Sequence, residues 1–552
     1  MPTVYVNDKP VEIGSQRLNC VQAAELAGVL VPHYCYHPEL TVVASCRMCL
    51  IEMGELKDGN VTMVPKVFPG CQTPVKDGTV IITGEYDKRD ESVAALPYDA
   101  NYKPGDRAKK SQADTLEGIL LNHPLDCPVC DKAGECKLQD FSYQFGRSES
   151  RMVDPKNTPP NKPDISSTIT LFTDRCIMCT RCVRFTREVS GTAELTVTSR
   201  GHHSEIDVFP GRPLENKLAG NVVDLCPVGA LGSKDFLYTQ RVWYLKDTDG
   251  VCSLCSTGCS VHVDHNKDIV YRLRPRVNPD AQGYFMCDEG RYGYHFVNSG
   301  ERIVRPTMAG QRATWHDLLP KLKADLAAAS GLVGVLSPFL TVEEAYLYAT
   351  ALKAISPDAK LVLGPVPVVG EDDKYPKDVR GNPVEPTRFT IRAEKCPNRR
   401  GVEAVLKHFE GHVVPVEEAP RTEAVFFAGG YPNAEWTVPA VGASGKPPVL
   451  LVVQHLFPSP LTEAAKYVLP ATAGYEKDGT YVNHAGLAQS FGRAVRPPTE
   501  VRGELQIAYD LLGRKGLAQA ATIRKELAGV VAEFAGLTDV PRTGTKIELQ
   551  TV

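Results

Sequence analysis

Arg175-Cys176-Ile177-Met178-Cys179-Thr180-Arg181-Cys182 sets three thiols at intervals of three residues, and a fourth follows in Asp224-Leu225-Cys226-Pro227. Three close thiolates and a later Cys-Pro form the ligand pattern of a ferredoxin [4Fe–4S] cluster. The tight run caps three corners of one cubane, and the proline fixes the loop of the fourth ligand. Two-cluster ferredoxins carry two such runs, so one run with one Cys-Pro makes a single cluster the economical count. Zinc is the competing occupant, because soft thiolates suit both metals.

Outward from this run the pattern repeats. Of the 17 cysteines, fifteen join one histidine in four sets of four, all before residue 288. Cys35, Cys46, Cys49 and Cys71 have the layout of a [2Fe–2S] ferredoxin loop, with a first gap longer than the plant-type spacing. Cys71 is the loosest member of that set. His123, Cys127, Cys130 and Cys136 combine one imidazole with three thiols, a composition that fits a zinc site as well as a cluster. Cys252, Cys255, Cys259 and Cys287 are similar to the [4Fe–4S] loop at the front of molybdopterin oxidoreductases. Cys20 and Cys396 remain and read as ordinary buried thiols. Arg47, Lys132, Lys137, Arg175, Arg181, Arg184 and Arg187 stand within a few residues of ligands, as cations offsetting cluster charge or as a solvated basic face.

Bulk properties agree with a soluble, multidomain chain. At 552 residues it is too long for one core, and roughly three to five domains are expected. A formal net charge of −4 gives no case for nucleic acid. Oxidised clusters on the four sets would add roughly seven further negative units. The opening residues lack a signal-peptide pattern, and Leu326–Val342 is broken by Ser330, Gly331 and Pro338, so a membrane span is not expected. Cysteines spaced for metal in a large chain point to a reducing compartment rather than to a disulfide scaffold.

The pattern along the chain predicts a multidomain protein of α+β and α/β class. Residues 1–85 form a β-grasp 2Fe–2S ferredoxin domain, with a hairpin turning at Asn7-Asp8, a helix over Val21–Leu26, and strands at Leu50–Met53 and Val80–Ile82. Residues 86–150 form the His/Cys3 domain; its helix is predicted over Gln112–Asn122, with Leu116, Ile119, Leu120 and His123 on one face. Glu85–Arg107 reads as a separator and Arg151–Ser167 as a linker or surface loop. Residues 151–243 are a 4Fe–4S ferredoxin-like domain, and 244–300 carry the fourth set. Residues 301–552 alternate apolar strands (Leu332–Leu336, Leu361–Leu363, Ala424–Ala428, Val449–Val453) with helices, one opening on a Thr341/Glu344 capping box.

Several stretches together resemble the 75 kDa iron–sulfur family of respiratory complex I (NADH–quinone oxidoreductase), the largest chains of its peripheral arm. They are Tyr34-Cys35-Tyr36-His37, Ser45-Cys46-Arg47-Met48-Cys49, Asn122-His123-Pro124-Leu125-Asp126-Cys127-Pro128, Gly134-Glu135-Cys136, the 175–182 run and Asp224–Leu231. The resemblance covers residues 1–300 and continues more loosely through Leu469-Pro470-Ala471 and Glu476–Tyr481. It implies one 2Fe–2S cluster on the first set and 4Fe–4S clusters on the other three, which favours iron at the His/Cys3 set. It implies that the fourth cluster lies off the main electron path. It also implies that residues 301–552 are a shortened molybdopterin-oxidoreductase-like α/β domain, with no molybdenum cofactor expected.

The function so implied is single-electron conduction from the NADH/FMN-binding subunit toward the quinone-side iron–sulfur subunits, at the cytoplasmic face of a bacterial inner membrane. Contact with the membrane would come only through the assembled complex. No residue is needed as general acid, base or nucleophile, and with no G-x-G-x-x-G or Walker loop, NADH and FMN should bind elsewhere. Two rivals stay open: a molybdopterin-dependent formate dehydrogenase catalytic subunit, and the electron-input subunit of an NAD-linked hydrogenase. The first needs a metal-binding cysteine after Cys287, and only Cys396 is there.

Overall fold

The computed structural model describes residues 1–437 and 445–548, which divide into two compact units. The first comprises Met1–Trp243 with Pro376–Asn382; the second comprises Tyr244–Tyr375 with the chain from Pro383 onward.

The first unit opens on a five-stranded sheet in the order Lys9–Glu12, Thr3–Val6, Thr79–Ile82, Leu50–Lys57, Asn60–Pro69. Asn7 and Asp8 take positive φ (47° and 73°), the geometry of a tight two-residue hairpin turn. Helix Cys20–Leu26, closed by an Asn19/Gln22 capping box, lays Val21, Ala23 and Ala24 on the sheet against Val4, Val6 and Ile51.

Two sequence expectations need correction here. The helix expected from Gln112 begins at Asp106 and ends at Leu120, so His123 lies beyond it. Its start is set by a tertiary contact, because the buried Glu52 carboxylate of the sheet accepts from Arg107 N (3.0 Å) and Ala108 N (3.1 Å). Its end is set by Pro124, which disfavours helical backbone at His123. The Glu85–Arg107 stretch is not a free separator. Tyr86 and Tyr98 donate to Asp8 and Tyr102 to Glu52, which docks the stretch on the sheet.

The second unit holds a three-stranded sheet, Lys246–Val251, Ser260–Asn266, Ile269–Pro275, and a larger seven-stranded one. The larger sheet runs Gln311–Arg312, Thr307–Met308, Tyr467–Pro470, Leu450–His455, Ala424–Ala428, Val333–Leu336, Lys360–Leu363. Its last five strands are parallel, with a doubly wound order that reverses between Val333–Leu336 and Ala424–Ala428. Helix Val342–Ile355 is capped by the Thr341/Glu344 box and buries nearly every side chain, as a helix covered on all sides must. The broken apolar stretch at Leu326–Val342 resolves into the end of helix Trp315–Ala328, a turn at Gly331, and a strand. Among the described residues no helix is long and apolar enough to cross a membrane.

One buried group in this unit makes stability depend on pH. Lys477 Nζ lies 2.9 Å from Glu344 Oε2, and both side chains are enclosed. Burial raises the Glu344 carboxyl from 4.5 to about 7, with the Glu504 charge adding to the rise against the pull of Lys477. The folded chain therefore holds a proton that the unfolded chain releases, and stability falls as pH rises from 4.5 through about 7. Glu344→Gln should flatten that slope, so that in urea unfolding the variant's stability changes less than the parent's between pH 5 and pH 8.

Candidate metal centres

In each of the four sets short elements end beside some of the donors. In the first, Cys49 precedes strand Leu50–Lys57, and Cys71 follows strand Asn60–Pro69 across the Leu50↔Pro69 register. The antiparallel pair thus closes a long sequence gap, and Gly70 N donates to Cys49 O at 2.8 Å. Cys35 N donates to Cys46 Sγ at 3.5 Å. Side-chain interactions with Cys46 and Cys71 draw the Cys35 thiol down and that with Cys71 draws Cys49 down, while Cys46 and Cys71 are pushed up. Cys71, the loosest member by sequence, is therefore gathered with the other three.

In the second set, Cys127 opens a 3-10 turn, Cys130 closes it, and Cys136 caps helix Lys137–Phe145. Arg241 clamps this loop by donating to Cys130 O (2.9 Å), Pro128 O (2.8 Å) and Cys127 O (3.2 Å). Gly229 backs it, since a Cβ there would sit 2.2 Å from Cys130 Sγ. The charges of Cys127 on Cys130, and of Cys130 on Cys136, raise those thiols beyond what burial does. His123 is placed beside the Asp126–Arg175 pair (2.9 Å). Burial, reinforced by Lys156 and Arg175, lowers its imidazole to about 4, so the ring is neutral at pH 7. Its Nδ1 is buried without a partner.

In the third set, Met178 (φ 53°) and Thr180 (φ 58°) take left-handed backbone between Cys176, Cys179 and Cys182, which turns the chain sharply within this run. Cys182 lies in the first turn of helix Arg181–Glu188, and Cys226 follows helix Asn221–Leu225. Met178 N donates to Cys176 Sγ at 3.4 Å. Burial pushes Cys176 up to about 12 and Cys179 to about 11, and the Cys226 charge adds to both.

The fourth set lies in the second unit. Cys252 and Cys259 flank the hairpin loop closed by Val251↔Ser260, and Cys287 caps helix Asp288–Tyr292, accepting from Gly290 N at 3.3 Å. A Cβ on Gly290 would lie 3.2 Å from Cys252 Sγ and 3.5 Å from Cys287 Sγ, so only glycine keeps both sulfurs at this distance with ease. Burial pushes Cys252 up to about 12, helped by Cys255.

The donors fit iron–sulfur clusters on grounds beyond their spacing. No cysteine is in a disulfide. Arg181 and Arg184 are 5% and 7% exposed, yet neither has a carboxylate partner among the described residues, and both Nε atoms are buried and unpartnered. The Tyr34 hydroxyl, beside Cys35, is likewise buried and unpartnered. Two bare guanidinium groups cost several kcal/mol to bury unless anions stand near them. Cys179, Cys226 and Cys35 are the groups whose negative charge, when they are ionised, acts on Arg181.

The sets of the first unit also touch one another. Arg184 donates to Cys35 O and Cys179 O, and Arg181 to Tyr36 O and Leu225 O, which joins the first set to the third. Lys137 N (3.2 Å) and Cys136 Sγ (3.8 Å) both donate to Pro227 O, which joins the third to the second. This arrangement gives the third set a contact with each of the other two. Sequence alone could not give it, although Arg181, Arg184 and the Cys226-Pro227 pair were visible there.

The α/β domain offers no comparable ligand constellation among the described residues. Its switch point, where doubly wound sheets take ligands, is filled by side chains. Tyr431 follows strand Ala424–Ala428 and reaches over the sheet to donate to Pro365 O (2.9 Å), with Phe339 at 4.9 Å and His455 stacked at 6.0 Å. Cys396 is fully buried among Val335, Val362 and Phe427.

Family models match in the same order as these features. They are a 2Fe-2S iron-sulfur cluster binding domain (2–86), the NADH-ubiquinone oxidoreductase-G iron-sulfur binding region (112–151) and the NADH-quinone oxidoreductase subunit 3 ferredoxin-like domain (166–232). The molybdopterin oxidoreductase Fe4S4 domain (245–299) and molybdopterin oxidoreductase (405–514) follow. The class is thus a multidomain iron–sulfur protein: a 2Fe–2S domain, several 4Fe–4S domains, and a molybdopterin-oxidoreductase-type α/β domain. The NADH-quinone oxidoreductase G subunit of Rickettsia conorii is 30% identical over 504 residues, covering 88% of this chain and 68% of that protein. The chain belongs to this family, the G subunits of NADH-quinone oxidoreductase. The G subunit of Streptomyces coelicolor is 32% identical over 335 residues (60% of this chain, 37% of that protein). The mitochondrial NADH-ubiquinone oxidoreductase 78 kDa subunit of Candida albicans is 35% identical over 320 residues (57% and 40%). The chain therefore spans less than half the length of those two relatives. A chain from the crystal structure of a NAD+-reducing [NiFe]-hydrogenase is 24% identical with a TM-score of 0.34, covering 44% of this chain and 91% of that one; so distant a match carries no argument.

Proposed function

We propose that this chain is an electron-conducting subunit of the peripheral arm of respiratory complex I. It would bind one 2Fe–2S cluster on Cys35, Cys46, Cys49 and Cys71. Three 4Fe–4S clusters would lie on His123/Cys127/Cys130/Cys136, Cys176/Cys179/Cys182/Cys226 and Cys252/Cys255/Cys259/Cys287. Such clusters, when bound, accept and release one electron at a time. The chain's own residues fix the thiolates and hold consecutive sets in contact. The observation that carries the reading is the contact of the third set with each of the other two, through Arg184 on one side and Pro227 on the other, which we take as the series one–three–two.

The partners on this reading are the NADH/FMN-binding subunit on the input side and the quinone-side iron–sulfur subunits on the output side. The assembly would sit peripherally on the cytoplasmic face of a bacterial inner membrane. Exposed Cys127, flanked by exposed Leu125 and Val129, makes the second set the natural outlet. The side chains filling the switch point, with Cys396 sealed in the core, favour this reading over a molybdopterin-dependent dehydrogenase.

Low-temperature EPR of the anaerobically purified, dithionite-reduced chain tests it, alongside iron, sulfide, zinc and molybdenum content. One binuclear signal and up to three tetranuclear signals, with no molybdenum, are expected. Stoichiometric molybdenum, or zinc in place of iron and sulfide, would overturn it.

A further inference from the structure

One guanidinium nitrogen lies between two ligand sets. Arg184 Nη2 donates to Cys35 O and, at 3.3 Å, to Cys179 O, while Nη1 donates to Thr41 O at 2.6 Å. The side chain is 7% exposed, lacks a carboxylate partner among the described residues, and keeps its Nε buried and unpaired. Arg181, three residues earlier on the same helix, also lacks a carboxylate partner among the described residues, and Glu188 at the end of that helix is engaged by Thr41 N at 2.8 Å. A cation in that position acts on whatever negative charge the two sets carry. A carbonyl–nitrogen–carbonyl chain through Nη2 is also a hydrogen-bonded path from Cys35 to Cys179 that crosses no gap wider than a hydrogen bond.

We propose that Arg184 is the positioning residue that couples the first and third sets, raising the reduction potential of both and bridging single-electron exchange between them. The exchange oxidises one set by one electron and reduces the other by one; no proton moves and no bond is made or broken. This inference rests on the proposed function, because it takes the two sets as cluster ligands.

The test uses the full chain, purified anaerobically, with the variants Arg184→Gln and Arg184→Lys. EPR-monitored redox titration of R184Q should show the binuclear signal and one tetranuclear signal shifting to lower potential together. Each shift should be about tenfold in the reduced-to-oxidised ratio, which is ~59 mV for a one-electron couple. The remaining tetranuclear signals should stay in place. R184K keeps a point charge but loses the planar fork, so it should hold both potentials near the parent values while freeze-quench exchange between the two sets slows several-fold. A shift of only one signal, or of neither, overturns the proposal. If R184Q fails to retain clusters, R184K decides alone, and an unchanged exchange rate overturns it. Absence of signals and iron from the unsubstituted chain would instead sink the ligand assignment, so the two failures are distinguishable.

Discussion

Cys226→Ala is expected to abolish one tetranuclear signal, lower iron by about four atoms per chain, and cut the first set off from the second. Cys226 is the member of the third set that lies outside the 176–182 run, and it is held at the end of helix Asn221–Leu225 by its N–H to Val222 O (3.0 Å). Its neighbour Pro227 carries the contact with Cys136 and Lys137, so the third set is the middle of the series. In freeze-quench reduction, signals from the first set should appear at the parent rate while those of the second are delayed to near background. Undiminished reduction of the second set would refute the order one–three–two. Cys396→Ala is the matched control. That thiol is as buried as any ligand, but it lies among aliphatic and aromatic side chains, so its loss should cost about 1–2 kcal/mol and no cluster.

What sequence revealed and what it hid follow one physical division. Local chemistry was legible: the Asn7-Asp8 turn, the Thr341/Glu344 cap and the apolar strands of the second unit rest on residues close in sequence. Interactions across distance were not. Glu52 starts a helix that begins 54 residues later at Asp106, and nothing near Asp106 announces it. Arg184 meets Cys35 across 149 residues of chain, so it read as one basic residue among seven rather than as a bridge. Residues 376–382 belong to the first unit, with Lys377 N donating to Val189 O (3.0 Å), although the surrounding sequence belongs to the second. Gly229 and Gly290 stand inside or beside the cysteine motifs, but their role comes from sulfurs that only the fold packs against them.

The α/β domain also has a definable task, and Glu476→Ala tests it with a large expected effect. Asn483 Nδ2 donates to Thr257 O (3.0 Å), His484 N to Ser256 O (2.9 Å) and Gln489 Nε2 to Gly258 O (2.7 Å), so residues 483–489 enclose the Cys252–Cys259 loop. Gly474 is pressed against Ser253 of the same loop, where a Cβ would approach to 3.0 Å. This socket is anchored by Arg302, whose two terminal nitrogens meet the Glu476 oxygens at 2.6 Å each, with side chains 2% and 3% exposed. Glu476 also accepts from Ala473 N at 2.9 Å. Removing the carboxylate strands a buried guanidinium, which costs about 3–5 kcal/mol. Glu476→Gln keeps an acceptor and should cost less. Glu476→Leu combined with Arg302→Met removes both charges and should recover most of the loss. Because the anchored segment closes over the fourth set, E476A should shed that cluster while the three signals of the first unit persist. Thermal unfolding and spin quantitation on the same samples measure both effects. A fourth-set signal as durable as the parent's, despite the lost stability, would mean that the domain does not hold the fourth set in place.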